Sequence, residues 1–455
     1  MALVTDRQRI QHLLRRAGFG YSPDELSEYL ALGLEGAIDR LLNPELVDDG
    51  FAENAVAALR ARALQHPPTN TMAWHTRMVL TNRPLLEKMT FFWHDHFANS
   101  YRKVNYPGFM LLQNETLRAG AMGKFRDLTL AMTRDPAMLW YLDNRLSSAK
   151  APNENFAREL FELFTLGEGV GYTEKDIRES ARALTGWRTT QTKPPAGVTY
   201  PEPTGAVFMP KQFDSGIKTV LGKTGRFGDE DVIRIVTDRP ECAELIGRKM
   251  WQFFAVKNPT PEMLARTTKA YFTNDTSIRE MLRVILRAPE MYSDGAYRWR
   301  IKSPVEHVVQ TVRTFGLIDR MDRIKNDTTV QGQELFDPPT VAGWDWGYPW
   351  INSNTVLARA SFANDVVRRG GPKGNPTLYV DVAALLSKNG ATSSAETAVD
   401  FLLDLFVGGD VDTDTRKILI DHIGGVHYKF ADANREGRLQ GLLYLVLAMP
   451  LAQMA

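Results

Sequence analysis

Residues 151–188 read APNENFARELFELFTLGEGVGYTEKDIRESARALTGWR, two helices joined by a glycine-rich turn. Asn153 is placed to cap the first helix, because its side chain can accept from a free amide of the first turn, and Glu154 then lies at the positive end of the helix dipole. At about 100° per residue, Phe156, Leu160, Leu163 and Phe164 share one arc, whereas Glu154, Asn155, Arg158, Glu159 and Glu162 share the opposite one. Gly167, Gly169 and Gly171 tolerate positive φ and end that helix. Thr173 and Asp176 have capping-box spacing ahead of the second helix, which has Ile177, Ala181 and Leu184 on its buried stripe and closes at Gly186 and Trp187. The polar arc has two readings. It is a solvated face whose i, i+4 pairs contribute about 0.3–0.5 kcal/mol each, or it is one side of a site completed from elsewhere.

Working outward, the same periodicity recurs along the chain. Ile10, Leu13, Leu14 and Ala17 mark a short helix, and Ser22 with Glu25 caps another. Residues 52–64 form a helix ended by His66, Pro67 and Pro68, and Trp74 begins a further one. Pro84 suits a helix start, and LLEKMTFFWHDHFANS follows it. On that helix His94 and His96 are nearly opposed, so one metal ion takes both only if the helix unwinds after Trp93. Asn114, Glu115 and Arg118 lie on the next helix, and Asp143 and Asn144 end the one after it, just before the opening stretch.

Residues 189–230 turn to Pro, Gly, Thr and Val without helical period, which predicts an irregular or β-hairpin insertion with KTVLGKTG as strand and turn. Helices return at 231–254 and 261–289, and Ser303 with Glu306 gives another capping-box signal. In FDPPTVAGWDWGYPWINSNTVLARASF, Trp344, Trp346, Tyr348 and Trp350 alternate with Gly, Asp and Pro. Such aromatics either plug a loop onto the core or stack on a ring-shaped ligand. After a polar break at 370–376, three helical segments from Val380, Thr397 and Leu439 complete the chain. The expected fold is mainly α, a multi-helix bundle-like body with a small irregular or β insertion. Its regions are 1–188, 189–230, 231–365 and 366–455.

Composition narrows the function. Among 455 residues, Lys plus Arg number 55 against 54 Asp plus Glu, so the net charge of +1 makes no global case for nucleic acid or an anionic membrane. The single cysteine, Cys242, excludes an intramolecular disulfide framework and a cysteine-based zinc or iron–sulfur site, and suits a core position. The apolar run at 442–452 contains Pro450 and is too short to span a bilayer. The first twenty residues lack the apolar region of a signal peptide, so the chain as written reads as cytoplasmic, with export expected only if a leader has been trimmed. No Walker A, GxGxxG, HExxH or GxSxG pattern occurs, leaving no nucleotide or flavin signature.

FFWHDHFA, NENFARELFELFTLGEGVGYTEKDIRESARALTGW, DSGIKTVLG, SPVEHVVQTVRTFG and PPTVAGWDWGYPWINSNTVLARASF occur in this order. On these segments the chain resembles the large bacterial family called domain of unknown function 1800, from about His12 to the C-terminal helices. The resemblance implies a mostly helical protein and brings no established activity. It also implies a phosphatase- or sulfatase-like partner protein, since members are often exported beside one. Many relatives carry His before the Asp of the DSGIKT segment, where this chain has Phe213.

Three functions fit these residues. In a metal-dependent enzyme, Glu162 and Glu159 would bind or bridge Fe, Mn or Zn with His94 or His96 completing the shell, and Glu154, Arg158 and Glu159 would be the reacting and orienting groups, although the ExxH pair of diiron bundles is absent. In a carbohydrate-active or glycan-binding protein, Glu154 and Glu159 would be the carboxylate pair, while Trp344 and Trp346, with Glu115 and Asp143 at the margin, would contact substrate. In a non-catalytic scaffold or partner-binding protein, the same polar groups would lock helices together. The acidic arc cannot enclose a reacting group alone, and the 84–97 helix is the expected second wall.

Overall fold

The capping boxes read at Ser22–Glu25, Thr173–Asp176 and Ser303–Glu306 all form in both directions, each opening a helix where the spacing predicts one. The computed structural model describes residues 3–190, 203–318, 321–368, 379–432 and 434–455. Among these residues the protein has twenty-two α-helices and two antiparallel two-stranded ribbons, so it is mainly α with a small strand insertion. One ribbon pairs Trp187–Thr189 with Ala206–Phe208, and the other pairs Lys218–Val220 with Lys223–Gly225, where KTVLGKTG predicts strand and turn. The rest of the expected insertion, at 191–202, and the expected break at 370–376 lie outside the described residues. Among the described residues no helix is long and apolar enough to cross a membrane.

Two expectations are corrected. Pro67 and Pro68 open the Pro67–Leu80 helix rather than ending the preceding Gly50–Ala63 helix, because proline at a first helical turn removes only an amide that has no intrahelical acceptor. Near the C-terminus there are four helices, Val382–Lys388, Ala395–Val407, Thr413–His422 and Arg435–Ala448. The unforeseen Thr413–His422 helix buries only Leu419 and Ile420, so its stripe is faint, and its start is set by Asp412 accepting from the Thr415 amide.

One apolar core extends from Ile10 to Ala452. Through it runs the Pro84–His96 helix, which is buried on nearly every side. A helix enclosed all round must neutralise any charge it carries. Glu87 accepts from the Trp74 indole at 2.9 Å and from Arg118 at 2.6 and 3.0 Å, and Lys88 pairs with Glu306 across 218 positions of sequence. Cys242 is buried with its Sγ 3.9 Å from the Tyr271 hydroxyl, and burial pushes its thiol up to about 12, as a core position implies.

The opening stretch departs from a uniform helix. Glu154–Glu159 is α-helical, but Leu160–Thr165 widens into a π-helix, with the Leu166 amide donating back five residues to the Phe161 carbonyl. Such a turn frees carbonyls and rotates the residues after it. Here the Phe164 carbonyl meets His96 at the end of the Pro84–His96 helix, and the Leu163 carbonyl accepts from Lys249 on the Pro240–Phe254 helix.

Candidate functional site

The last turn of the Pro84–His96 helix presents Asp95 and His96 to a cavity of about 330 Å³. Its other side is the Trp-rich loop. The Trp344 amide donates to one oxygen of Asp95 at 2.8 Å, and the Trp346 indole donates to the other at 2.7 Å. Gly343, at φ +89°, lies so close that a Cβ there would overlap the carboxylate and the backbone carbonyl of Asp95, which explains a glycine at this point of the loop. Burial raises the Asp95 carboxyl from the usual 3.8 to about 6. The Trp344 and Trp346 hydrogen bonds and nearby Lys249 oppose that rise without cancelling it, and Asp345 adds to it.

His96 is held at both ring nitrogens. Nε2 lies 3.1 Å from the Phe164 carbonyl, an acceptor only, so it carries the proton and donates. Nδ1 therefore accepts from Lys249 Nζ at 3.1 Å, and Lys249 also donates to the Leu163 carbonyl at 3.3 Å. Burial, reinforced by the Lys249 charge, holds His96 well below its usual range and neutral. Burial likewise lowers Lys249, while Asp95 pulls it back up. The π-helix thus serves the cavity through backbone carbonyls that anchor one imidazole and one amine.

Arg300, 2% exposed, lines the same cavity. Its Nη2 donates to Glu306 at 2.5 Å, and its guanidinium carbon lies 5.0 Å from the Phe253 ring centroid and 5.3 Å from that of Trp346. Glu306 also accepts from Lys88 and, through its second oxygen, from the Ser303 amide at 2.9 Å. Burial alone would raise Glu306, but Arg300 and Lys88 outweigh it and keep the carboxylate ionised.

The residues singled out in the sequence separate into three groups. His96, Trp344 and Trp346 line the cavity. His94 lies behind it, edge-on to Trp74 and near the Phe336 and Trp344 rings; its Nε2 accepts from the Phe336 amide at 3.0 Å, and burial lowers it to about 3. That bond supports Phe336 at φ +66°, a conformation that bulky side chains rarely adopt. The helix does not unwind after Trp93, so the condition for His94 and His96 to share one ion is not met. Among the described residues no three His, Cys, Asp or Glu side chains gather as metal ligands would.

The third group lies away from the cavity lining. Arg158 pairs with Glu174 at 2.7 and 2.9 Å and with Glu162 at 3.3 Å, with Glu154 at 3.9 Å. These pairs tie the first helix of the opening stretch to the second. Glu159 is half-buried and raised by that burial and by Glu162, while Arg158 opposes the rise. Glu115 pairs with Arg60, and Asp143, at φ +58°, pairs with Lys103 at 2.9 Å. The expected second wall does pack against the stretch, but through His96 and Phe164 rather than the acidic arc.

Asp95, Lys249, Lys257 and Arg300 carry the cavity's charge and were not among the expected site residues. A partial signal existed in the cationic alternation Arg298, Arg300, Lys302 ahead of a capping box. The family model described as "Protein of unknown function (DUF1800)" matches residues 12–454. No curated protein and no solved structure matches the chain.

Proposed function

We propose, from the premise that the chain belongs to the DUF1800 family, that the cavity between Asp95, Lys249 and the Trp-rich loop binds a small molecule with which Asp95 exchanges a proton. The observation that carries this reading is Asp95 itself. It is a carboxyl raised to about 6, fixed by two donors of one loop, and facing a cavity of about 330 Å³. Ligand cavities start at about 300 Å³, and a titratable group shifted by desolvation inside a cleft is a frequent mark of function. A proton donor or acceptor works best when it titrates near the working pH, and about 6 meets that condition.

The neighbouring groups have complementary tasks. Trp344 and Trp346 orient the two carboxylate oxygens and supply apolar wall, while Lys249 places a cation or amine beside them, steadied by neutral His96. The face formed by Glu154, Arg158 and Glu162 serves to join the two helices of the opening stretch.

Incubating the protein with a small-molecule extract of bacterial cells, followed by mass spectrometry, tests the proposal. Wild type is expected to consume or convert at least one mass that Asp95→Asn leaves unchanged. An extract unaltered by wild type, with no mass retained on the protein after filtration, contradicts it.

A further inference from the structure

The charges around the cavity do not balance. Lys249, Lys257 and Arg300 line it against a single carboxylate, Asp95. Arg300 gives one N–H to Glu306, but its Nε and Nη1 have no hydrogen-bond partner among the described residues. Glu306 is itself shared, because it also answers the buried Lys88. Arg16, buried nearby, has its charge met by the carbonyls of Phe253, Phe254 and Ala255 at the end of the Pro240–Phe254 helix and by no carboxylate among its hydrogen bonds. Two buried cations thus depend on one carboxylate directly behind the cavity wall. Unpaired charge in a low-dielectric interior is costly, and an anion placed against it recovers part of that cost.

The walls add a second requirement. Phe92, Phe253, Trp299, Trp344 and Trp346 contribute aromatic surface, which favours a ligand with a flat or ring-shaped apolar part. Lys257 is exposed where it lines the cavity, positioned to draw an anion in from solvent.

Resting on the proposed ligand role of this cavity, we infer that its occupant is a small ring compound bearing a carboxylate or phosphate, with the anion on the Arg300 and Lys249 side and the ring against the aromatic walls. The anion would stand close to Asp95. Its negative charge disfavours ionisation of Asp95, so the ligand itself biases that residue towards the protonated, donating form.

Isothermal calorimetry at low salt with benzoate, phenyl phosphate and uncharged benzyl alcohol tests this assignment. At least one of the two anions is expected to bind ten times more tightly than benzyl alcohol, and to weaken as potassium chloride is raised. Which anion binds better identifies the group. Lys257→Glu, a change at an exposed position, is expected to reduce anion affinity at least tenfold while the melting temperature is kept. Equal affinity for benzyl alcohol and the anions, no measurable binding of either anion, or anion affinity unaltered by Lys257→Glu would each overturn the inference. The cell-extract experiment judges the cavity separately, because a neutral metabolite converted in an Asp95-dependent manner would retain the ligand site and reject only its anionic character.

Discussion

Glu306→Ala is expected to lower the stability of the protein by about 3–5 kcal/mol, the usual cost of breaking a buried ion pair by removing one partner. Glu306 is 3% exposed and meets Lys88, Arg300 and the Ser303 amide at once. Its removal leaves two cations in the interior with no carboxylate between them, and it removes the side-chain half of the capping box that starts the Pro304–Phe315 helix, freeing the Ser303 amide. Whole domains are stable by only about 5–15 kcal/mol, so the variant should unfold at much lower urea concentration or fail to accumulate as folded protein. Glu306→Gln keeps an acceptor but not the charge, and it should fall between wild type and Glu306→Ala. A Glu306→Ala protein within about 1 kcal/mol of wild type would mean that Lys88 and Arg300 do not depend on this carboxylate.

The second large effect is a gain in stability that depends on pH. The Asp95 carboxyl titrates at about 6 in the folded protein against a usual 3.8, so between those values the folded state holds a proton that the unfolded state has lost. The stabilisation from the protonated form is complete below about 3.8 and disappears as pH rises through about 6. Above that, an ionised Asp95 costs up to about 3 kcal/mol relative to an unshifted carboxylate. Asp95→Asn retains an oxygen for one loop donor and cannot ionise. It is therefore expected to exceed wild type in stability by as much as about 3 kcal/mol at pH 8, and to show no such advantage at pH 4. Urea unfolding at the two pH values measures the difference. An equal effect at both would show that Asp95 does not change its charge across this range. The same substitution should abolish conversion of the ligand, the pattern of a site that gives up stability for function.

Much of the architecture was legible because it is written locally. Ser22–Glu25, Thr173–Asp176 and Ser303–Glu306 mark helix starts through spacings of three residues, and Gly167, Gly169 and Gly171 do take the positive φ that ends a helix. The π-helix at Leu160–Thr165 was not legible, since an i+5 hydrogen bond leaves no distinct residue pattern and a 3.6-residue period fits the same letters. The polar arc of Glu154, Arg158 and Glu162 was correctly seen as one face. Its partner Glu174 lies beyond the glycine turn, where helical phase carries no information.

The cavity shows the same division. Trp344 and Trp346 stood out by composition; Trp344 is buried against the His94 ring, so its part of the loop is packed onto the core, and both residues line the cavity. Asp95 carries no local signal beyond its place between His94 and His96. Its role arises from donors 249 and 251 positions away, and Lys249 reaches His96 across 153. Long-range pairings of this kind are products of packing, and no local period encodes them.

The most direct test follows the Trp346 indole N–H, which donates to Asp95, through a pH titration by nitrogen-15 NMR, with the resonance assigned by its loss in Trp346→Phe. A carboxyl that keeps its proton up to about pH 6 requires this resonance to move with a midpoint near pH 6 and to be insensitive to pH over the same range in Asp95→Asn. A Trp346 indole that does not titrate between pH 4 and 8 in wild type, or that titrates identically in Asp95→Asn, would contradict such a carboxyl at Asp95.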